Sequence, residues 1–284
     1  MNIIDLFLQN PGIFYIFVVL VGLSVGSFLN VVIYRFPLMM ENDWKSQCRE
    51  LLELDEVSQE KITLSKPAST CPHCGHKIRA WENIPVISYL ILKGKCSKCK
   101  SSISPQYPLI ELLTGCLSLA VAIKFGVSWQ TLFALVLTWS LVSMSVIDIH
   151  KQILPDDITL PILWLGLIIS TYSIFTDPVS SIIGAAAGYM ILWCVYQLFK
   201  LLTGKEGMGF GDFKLLALFG AWFGWELLPL TIILSSATGA IIGILMIVVK
   251  KHEKSTPIPF GPYLAIAGWI SMMWGSQIMH WYLN

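Results

Sequence analysis

The chain has 284 residues, of which 55% are hydrophobic and only 13% charged, and its formal net charge is +1. A soluble domain carries about 25% charged residues, so this composition excludes an ordinary soluble protein and points to a polytopic membrane protein. A net charge so close to zero gives no case for nucleic-acid binding. In chain order, Met1 to Tyr34 comes first. It carries Asp5 but no Lys or Arg ahead of an apolar run over 12–34. A cleavable signal would begin with a basic region, so residues 1–34 read as a retained transmembrane anchor.

Residues 35–106 form the one sizeable polar region. Eleven of the 19 Lys and Arg residues lie between Arg35 and Lys100. Its first part, "ENDWKSQCRELLEL", has helical spacing and mixed charge, and predicts a solvated amphipathic helix. Further on, Cys71-x-x-Cys74 is followed by Cys96-x-x-Cys99. Two such knuckles about 20 residues apart are a strong zinc-ribbon signal, because each turn aims two thiolates at one ion and the pair completes a tetrahedron. Gly75 and the small and basic residues near Cys96 suit tight turns. The alternative is four reduced thiols or two disulfides, and a reducing cytosol argues against disulfides. His73 and His76 are further possible ligands. Four thiolates leave no open position, so the site is read as structural, folding a segment too small for its own core. Cys48, Cys116 and Cys194 read as small hydrophobes.

Apolar runs then follow near 107–124, 127–147, 158–176, 179–199, 213–225, 227–249 and 260–283. With the first run they predict an all-α polytopic protein of about eight transmembrane helices and a small zinc-ribbon-like cytoplasmic insertion. The run at 213–225 is short, so it is expected to be tilted or shielded by neighbours. An external N-terminus puts 18 of the 19 basic residues on the cytoplasmic side, with Lys124 alone outside. The expected divisions are the anchor at 1–34, the cytoplasmic metal-binding segment at 35–106 and a transmembrane bundle at 107–284.

Among the carboxylates near the spans, Asp177 and Glu226 fall in outer turns, and Asp156 and Asp157 open a span after Pro155 as capping residues. Asp148 and Asp212 differ. Asp148 ends the uncharged run "VSWQTLFALVLTWSLVSMSVI", and Asp212 starts the sixth span in "GFGD". The topology brings both to the cytoplasmic face at similar depth. Gly209 and Gly211 allow close approach of a second chain there. Two neighbouring carboxylates that share a proton are the machinery of an aspartyl protease: one takes a proton from water and the other donates to the carbonyl. They titrate as a unit. Two other readings stand beside it. In one, these are helix-end charges paired with Lys151 and Lys214. In the other, they form the relay of a proton-coupled transporter with a regulatory zinc ribbon.

The motifs "GSFLNVVIYRFP" (26–37), "NIPVISYLILKGKCSKC" (83–99), "SPQYPLIELLTG" (104–115), "DIHKQILPD" (148–156), "GFGD" (209–212) and "PFGPYLAIAG" (259–268) occur together and in order. On these the chain resembles the type IV prepilin peptidases, also called leader peptidase/N-methyltransferases, over nearly its whole length. The resemblance implies a bacterial inner-membrane enzyme with Asp148 and Asp212 as its catalytic pair. It implies cleavage of the basic leader from prepilins and pseudopilins after a glycine at the cytoplasmic face. S-adenosylmethionine-dependent methylation of the new N-terminus follows. Gly209, Gly211, Pro259 and Gly261 would support the loop or line the substrate groove against membrane lipid. Gly94 and Glu111 are candidates for the methyl-donor site, although Glu111 reads more readily as a helix-start carboxylate near Tyr107. No Rossmann G-x-G-x-x-G follows a strand. Zinc should support methylation more than proteolysis. A presenilin-like protease with other substrates shares the G-x-G-D signature, but no PAL-like tripeptide precedes the last span.

Overall fold

The computed structural model describes residues 3–54, 62–250 and 259–283. Lys61, Lys251 and Lys254, counted above as cytoplasmic charges, lie outside them. The described residues form ten α-helices: α1 (Ile3–Gln9), α2 (Pro11–Leu51), α3 (Ile87–Ile91), α4 (Gln106–Phe125), α5 (Trp129–Lys151), α6 (Asp156–Ser170), α7 (Pro178–Thr203), α8 (Phe210–Phe223), α9 (Leu228–Lys250) and α10 (Gly261–Leu283). They contain no β-strand, only two isolated bridges. The chain divides into two compact units, 1–127 and 128–284.

Helices stand at all eight of the expected spans. Five stretches among the described residues are long and apolar enough to cross a membrane: Pro11–Leu51, Gln106–Phe125, Trp129–Lys151, Pro178–Thr203 and Trp225–Leu245. With 15 and 14 residues, α6 and α8 fall short of the roughly 20 that a crossing takes. α10 is long enough, at 23 residues, but carries Gln277 and His280.

In the first unit, the amphipathic segment expected after the anchor is the continuation of the anchor itself. α2 runs unbroken for 41 residues and carries Pro37 inside it. It packs on α4. The crossing is close because Gly22 and Gly26 recur four residues apart on one face. A Cβ at Gly22 would stand 2.6 Å from Ser118 Oγ, and one at Gly26 2.8 Å from the Glu111 Cα. This small-x-x-x-small spacing lets two helices approach where no hydrophobic drive separates lipid from protein.

The second unit uses the same device. Gly184 and Gly188 of α7 face α8, and a Cβ on Gly220 would drive into the Gly184 backbone. α8 is enclosed by α6, α7 and α10, and from Asp212 to Phe223 every residue except Lys214 is buried. The short sixth segment is therefore shielded by its neighbours, one of the two arrangements its length allows. Ser128 caps α5 by accepting the Thr131 N–H. Asp177, placed above in an outer turn, caps α7 by accepting the Val179 and Ser180 N–H groups at 3.0 Å each.

Gly220→Ala should destabilise the second unit by at least about 1–3 kcal/mol, because backbone rather than a mobile side chain fills the space. Thermal unfolding in detergent checks this. Gly12→Ala, with nothing within 4 Å of the added methyl, should leave the midpoint unchanged or raised.

Candidate functional site

The second unit brings Asp148 and Asp212 together. Asp148 lies one turn before the C-terminus of α5, where the chain leaves the helix through Gln152 in a left-handed conformation. Asp212 is the third residue of α8. Both are buried, at 5% and 8% exposure, and they stand within electrostatic range of each other. The Gly261 N–H, at the start of α10, donates to Asp148 Oδ2 at 3.1 Å. That bond fixes the rotation of one carboxylate. A Cβ at Gly261 would come within 2.6 Å of the same oxygen, so "PFGPY" brings bare backbone to the site. Leu154 fills the space behind: Cβ atoms at Gly211 and Gly261 would lie 2.9 and 3.2 Å from it. At Gly209 a Cβ would be 4.0 Å from Asp212 Oδ2, so the open side of that carboxylate passes Gly209. Pro259 is half-buried, two residues before Gly261. The sequence reading missed Leu154, although it lies inside the "DIHKQILPD" motif.

Lys214, one of the cations considered as a dyad partner, is engaged elsewhere. Its Nζ lies 2.7 and 2.6 Å from the two carboxylate oxygens of Asp156. Asp156 thus ties the start of α6 to α8; the residue preceding α6 is Pro155, and no side chain caps that helix. Both partners are substantially exposed, 28% for Lys214 and 51% for Asp156. Lys214→Ala is expected to cost under about 1 kcal/mol, measured by thermal unfolding.

The first unit holds the four knuckle cysteines. The two knuckles repeat one hydrogen-bond pattern. Gly75 N–H donates to Cys71 O and Lys100 N–H to Cys96 O, while Cys71 N–H reaches His76 O and Cys96 N–H reaches Ser101 O. Gly75 and Lys100 both take positive φ, +66° and +61°, which glycine adopts freely and lysine at some cost. All four Sγ atoms lie within 4.8 Å of one another, with Cys71–Cys99 at 3.8 Å and Cys74–Cys96 at 4.0 Å. A tetrahedral ion with bonds of about 2.3 Å needs sulfurs about 3.8 Å apart, so this donor set fits one metal ion. The Ser101 hydroxyl and amide pull the Cys99 thiol down to about 6. For Cys74 the His76 amide acts downward, but desolvation and the neighbouring thiols leave it at about 11. Neither histidine joins the cluster. The His76 Nε2 pairs with Glu82 at 3.2 Å, and Glu82 also accepts the Arg79 N–H, which holds its carboxyl below the usual range.

Gly94 and Glu111 bracket α3. Gly94, at φ +67°, turns the chain from α3 into the second knuckle, and a Cβ there would meet Tyr89 Oη at 2.9 Å. Glu111 is buried in α4 and accepts the Val86 N–H at 2.7 Å. Val86 has φ +60° and ψ −47°, with the Ile87 N–H bonded back to Pro85 O. This is a γ-turn centred on a β-branched residue, a conformation costing on the order of 1–3 kcal/mol that the Glu111 bond helps to hold. Glu111 is thus more than a helix-start carboxylate. Arg35, counted above only as a charge, is buried in α2 and donates to the carbonyls of Thr63, Leu64 and Pro67. Its low hydropathy in the apolar context "IYRFP" is the signal that marks it.

Fold and sites together define a helical membrane protein with a buried carboxylate pair in one unit and a four-cysteine cluster that could hold a metal ion in the other. Residues 20–125 match the bacterial peptidase A24 N-terminal domain and residues 135–244 the type IV leader peptidase family. The chain is 57% identical to a prepilin leader peptidase/N-methyltransferase of Stutzerimonas stutzeri, covering 100% of this chain and 99% of that protein. It is 55% identical to that of Pseudomonas aeruginosa, covering 100% and 98%, and 44% identical to that of Legionella pneumophila, covering 98% of each. No solved structure matches it. The chain belongs to the type IV leader peptidase family, which favours the peptidase over the transporter.

Proposed function

We propose that this protein removes the basic leader of prepilins and pseudopilins at the cytoplasmic face of the inner membrane and then methylates the new N-terminus. The observation that carries the reading is the buried pair Asp148 and Asp212 in a chain whose full-length relatives are named for these two activities. The ionised member takes a proton from water as the oxygen attacks the scissile carbonyl, and the protonated member donates to the carbonyl oxygen. Collapse breaks the C–N bond, and the departing amine takes a proton from the pair. The Gly261 amide holds Asp148 in register, and Gly209 and Gly211 leave room for an extended substrate backbone. A substrate helix lying in the bilayer would reach the pair by packing against apolar and small residues.

The topology that fits this chemistry has eight crossings, a periplasmic N-terminus and residues 35–106 in the cytoplasm, as the positive-inside count favours. Cys71, Cys74, Cys96 and Cys99 would hold a structural zinc ion. S-adenosylmethionine supplies the methyl group, and the α3 region between Glu111 and Gly94 is the candidate for positioning the amine or the donor.

The test is to incubate membranes containing the protein with a prepilin and isotopically labelled S-adenosylmethionine, then to weigh the product. A product lacking its leader and heavier by one labelled methyl is expected. Intact prepilin after prolonged incubation would overturn the reading.

A further inference from the structure

Between the two knuckles, beside the candidate methyl-transfer residues Gly94 and Glu111, the chain carries exposed apolar side chains to which the proposed chemistry gives no role. Trp81, Ile84, Ile87, Leu90 and Ile91 are exposed, the last two at 68% and 67%. Within α3, Ile87, Leu90 and Ile91 stand at i, i+3 and i+4 and so share one face of that helix, while Trp81 and Ile84 precede it on the other side of the turn at Val86. Around them stand Lys77, Arg79, Lys93, Lys95, Lys98 and Lys100, all exposed. The single acidic residue between 71 and 105 is Glu82, and its carboxylate is already bonded to His76 and the Arg79 amide. The surface is therefore an apolar strip with an aromatic residue, flanked in sequence by basic residues and by no acidic residue other than Glu82.

Its position is fixed relative to a span. The Val86 N–H is bonded to Glu111, five residues into α4, a helix that is long and apolar enough to cross a membrane. Five residues of helix rise about 7.5 Å. The interfacial layer on each side of a bilayer is about 5–7 Å deep. With the start of α4 at the membrane surface, the tether would hold the strip near the level where headgroups give way to acyl chains, beside the exposed Leu109, Leu112 and Leu113 of α4.

We infer that residues 81–91 dock into the cytoplasmic leaflet. Ile84, Ile87, Leu90 and Ile91 enter the acyl boundary, and the lysines and Arg79 engage anionic phospholipid headgroups. Apolar side chains with a cationic rim are what an interfacial segment needs, and the basic residues draw it to anionic rather than zwitterionic lipid. Glu111 is the anchor that keeps the strip at this depth, and the γ-turn at Val86 bends the chain so that α3 lies along the surface. The inference concerns membrane attachment of the metal-binding segment and does not depend on which substrate is cleaved.

The experiment uses the full-length protein in nanodiscs. A p-benzoylphenylalanine replaces Leu90 in one sample and Ile91 in another, with Leu109 as the lipid-facing reference and Ser102, on the second knuckle, as the control. After irradiation, mass spectrometry identifies the partner. Lipid adducts at 90 and 91 should approach the yield at 109, exceed that at 102 several-fold, and fall several-fold when phosphatidylglycerol is replaced by phosphatidylcholine. Exclusive crosslinks from 90 and 91 to residues 128–284, to a second copy or to added prepilin would overturn the inference, as would yields no higher than at 102. If Glu111 is the anchor, Glu111→Ala should lower the adduct yield at 90, whereas Glu111→Gln, which keeps an acceptor for Val86, should restore it. An unchanged yield in Glu111→Ala would refute the anchor.

Discussion

Asp148→Asn and Asp212→Asn should each abolish leader cleavage while leaving the protein inserted and folded. Each amide keeps the shape of the carboxylate and removes its ability to carry the shared proton. The expected loss is at least roughly 10³-fold, within the range for groups that act as one catalytic unit. The double variant should be no slower than either single one, because a dyad lacking one member no longer has a function for the other to lose. This non-additivity separates a catalytic pair from two independent structural carboxylates, whose losses would multiply. The two substitutions should differ in one respect. Asp148 accepts the Gly261 amide, and an asparagine oxygen can replace that acceptor, so the start of α10 should stay in place. Cleavage by either single variant at the wild-type rate, measured on prepilin in membranes, would return both residues to the role of helix-end charges.

Much of this candidate site is legible in the amino-acid sequence, for identifiable reasons. A charge is costly in an apolar run, so Asp148 and Asp212 stand out from their surroundings. The cysteine spacing encodes a turn, and the turn encodes the ligand geometry. Features that depend on which face of one helix meets another were harder to read. The Gly22–Gly26 and Gly184–Gly188 pairs are visible as G-x-x-x-G, yet nothing in the string says that Ser118 or Gly220 lies opposite. Leu154 looks like any apolar loop residue until Gly211 and Gly261 close on it. The continuity of α2 through Pro37 ran against the usual effect of proline, which removes a donor and crowds the preceding turn. Arg35 and Glu111 share one lesson. Each is a charged residue near a span end whose partners are backbone groups elsewhere in the chain, at 63–67 and at 86. Composition records such residues as charge, and only the fold reveals them as clamps.

Removal of the metal should unfold the knuckles and spare the peptidase. Between Cys71 and Ser102 the only buried residue is Cys96, and two isolated bridges are the only strand-like pairing. A segment of that kind has no apolar core to offset the entropy of ordering about 30 residues. In the proposed site the ion would supply the stability; structural zinc in comparable small modules contributes about 10–16 kcal/mol of apparent binding free energy. The Cys71→Ser, Cys74→Ser double variant should therefore carry no zinc by elemental analysis and lose amide protection throughout 71–102. The carboxylate pair belongs to the other unit, so cleavage should stay within about ten-fold of wild type, while methylation of the product is lost with the segment that brackets α3. The pH dependence has a definite sign. Ligation requires thiolates. Cys74, at about 11, still holds its proton at neutral pH and must release it to bind, so affinity should rise with pH through the neutral range. Cys99, at about 6, begins to compete for protons only below that value, and the decline in affinity should steepen there. Zinc retained by the double variant would overturn the four-cysteine assignment. Cleavage lost in parallel with the metal would show that the knuckles serve the peptidase as well as the methyl transfer.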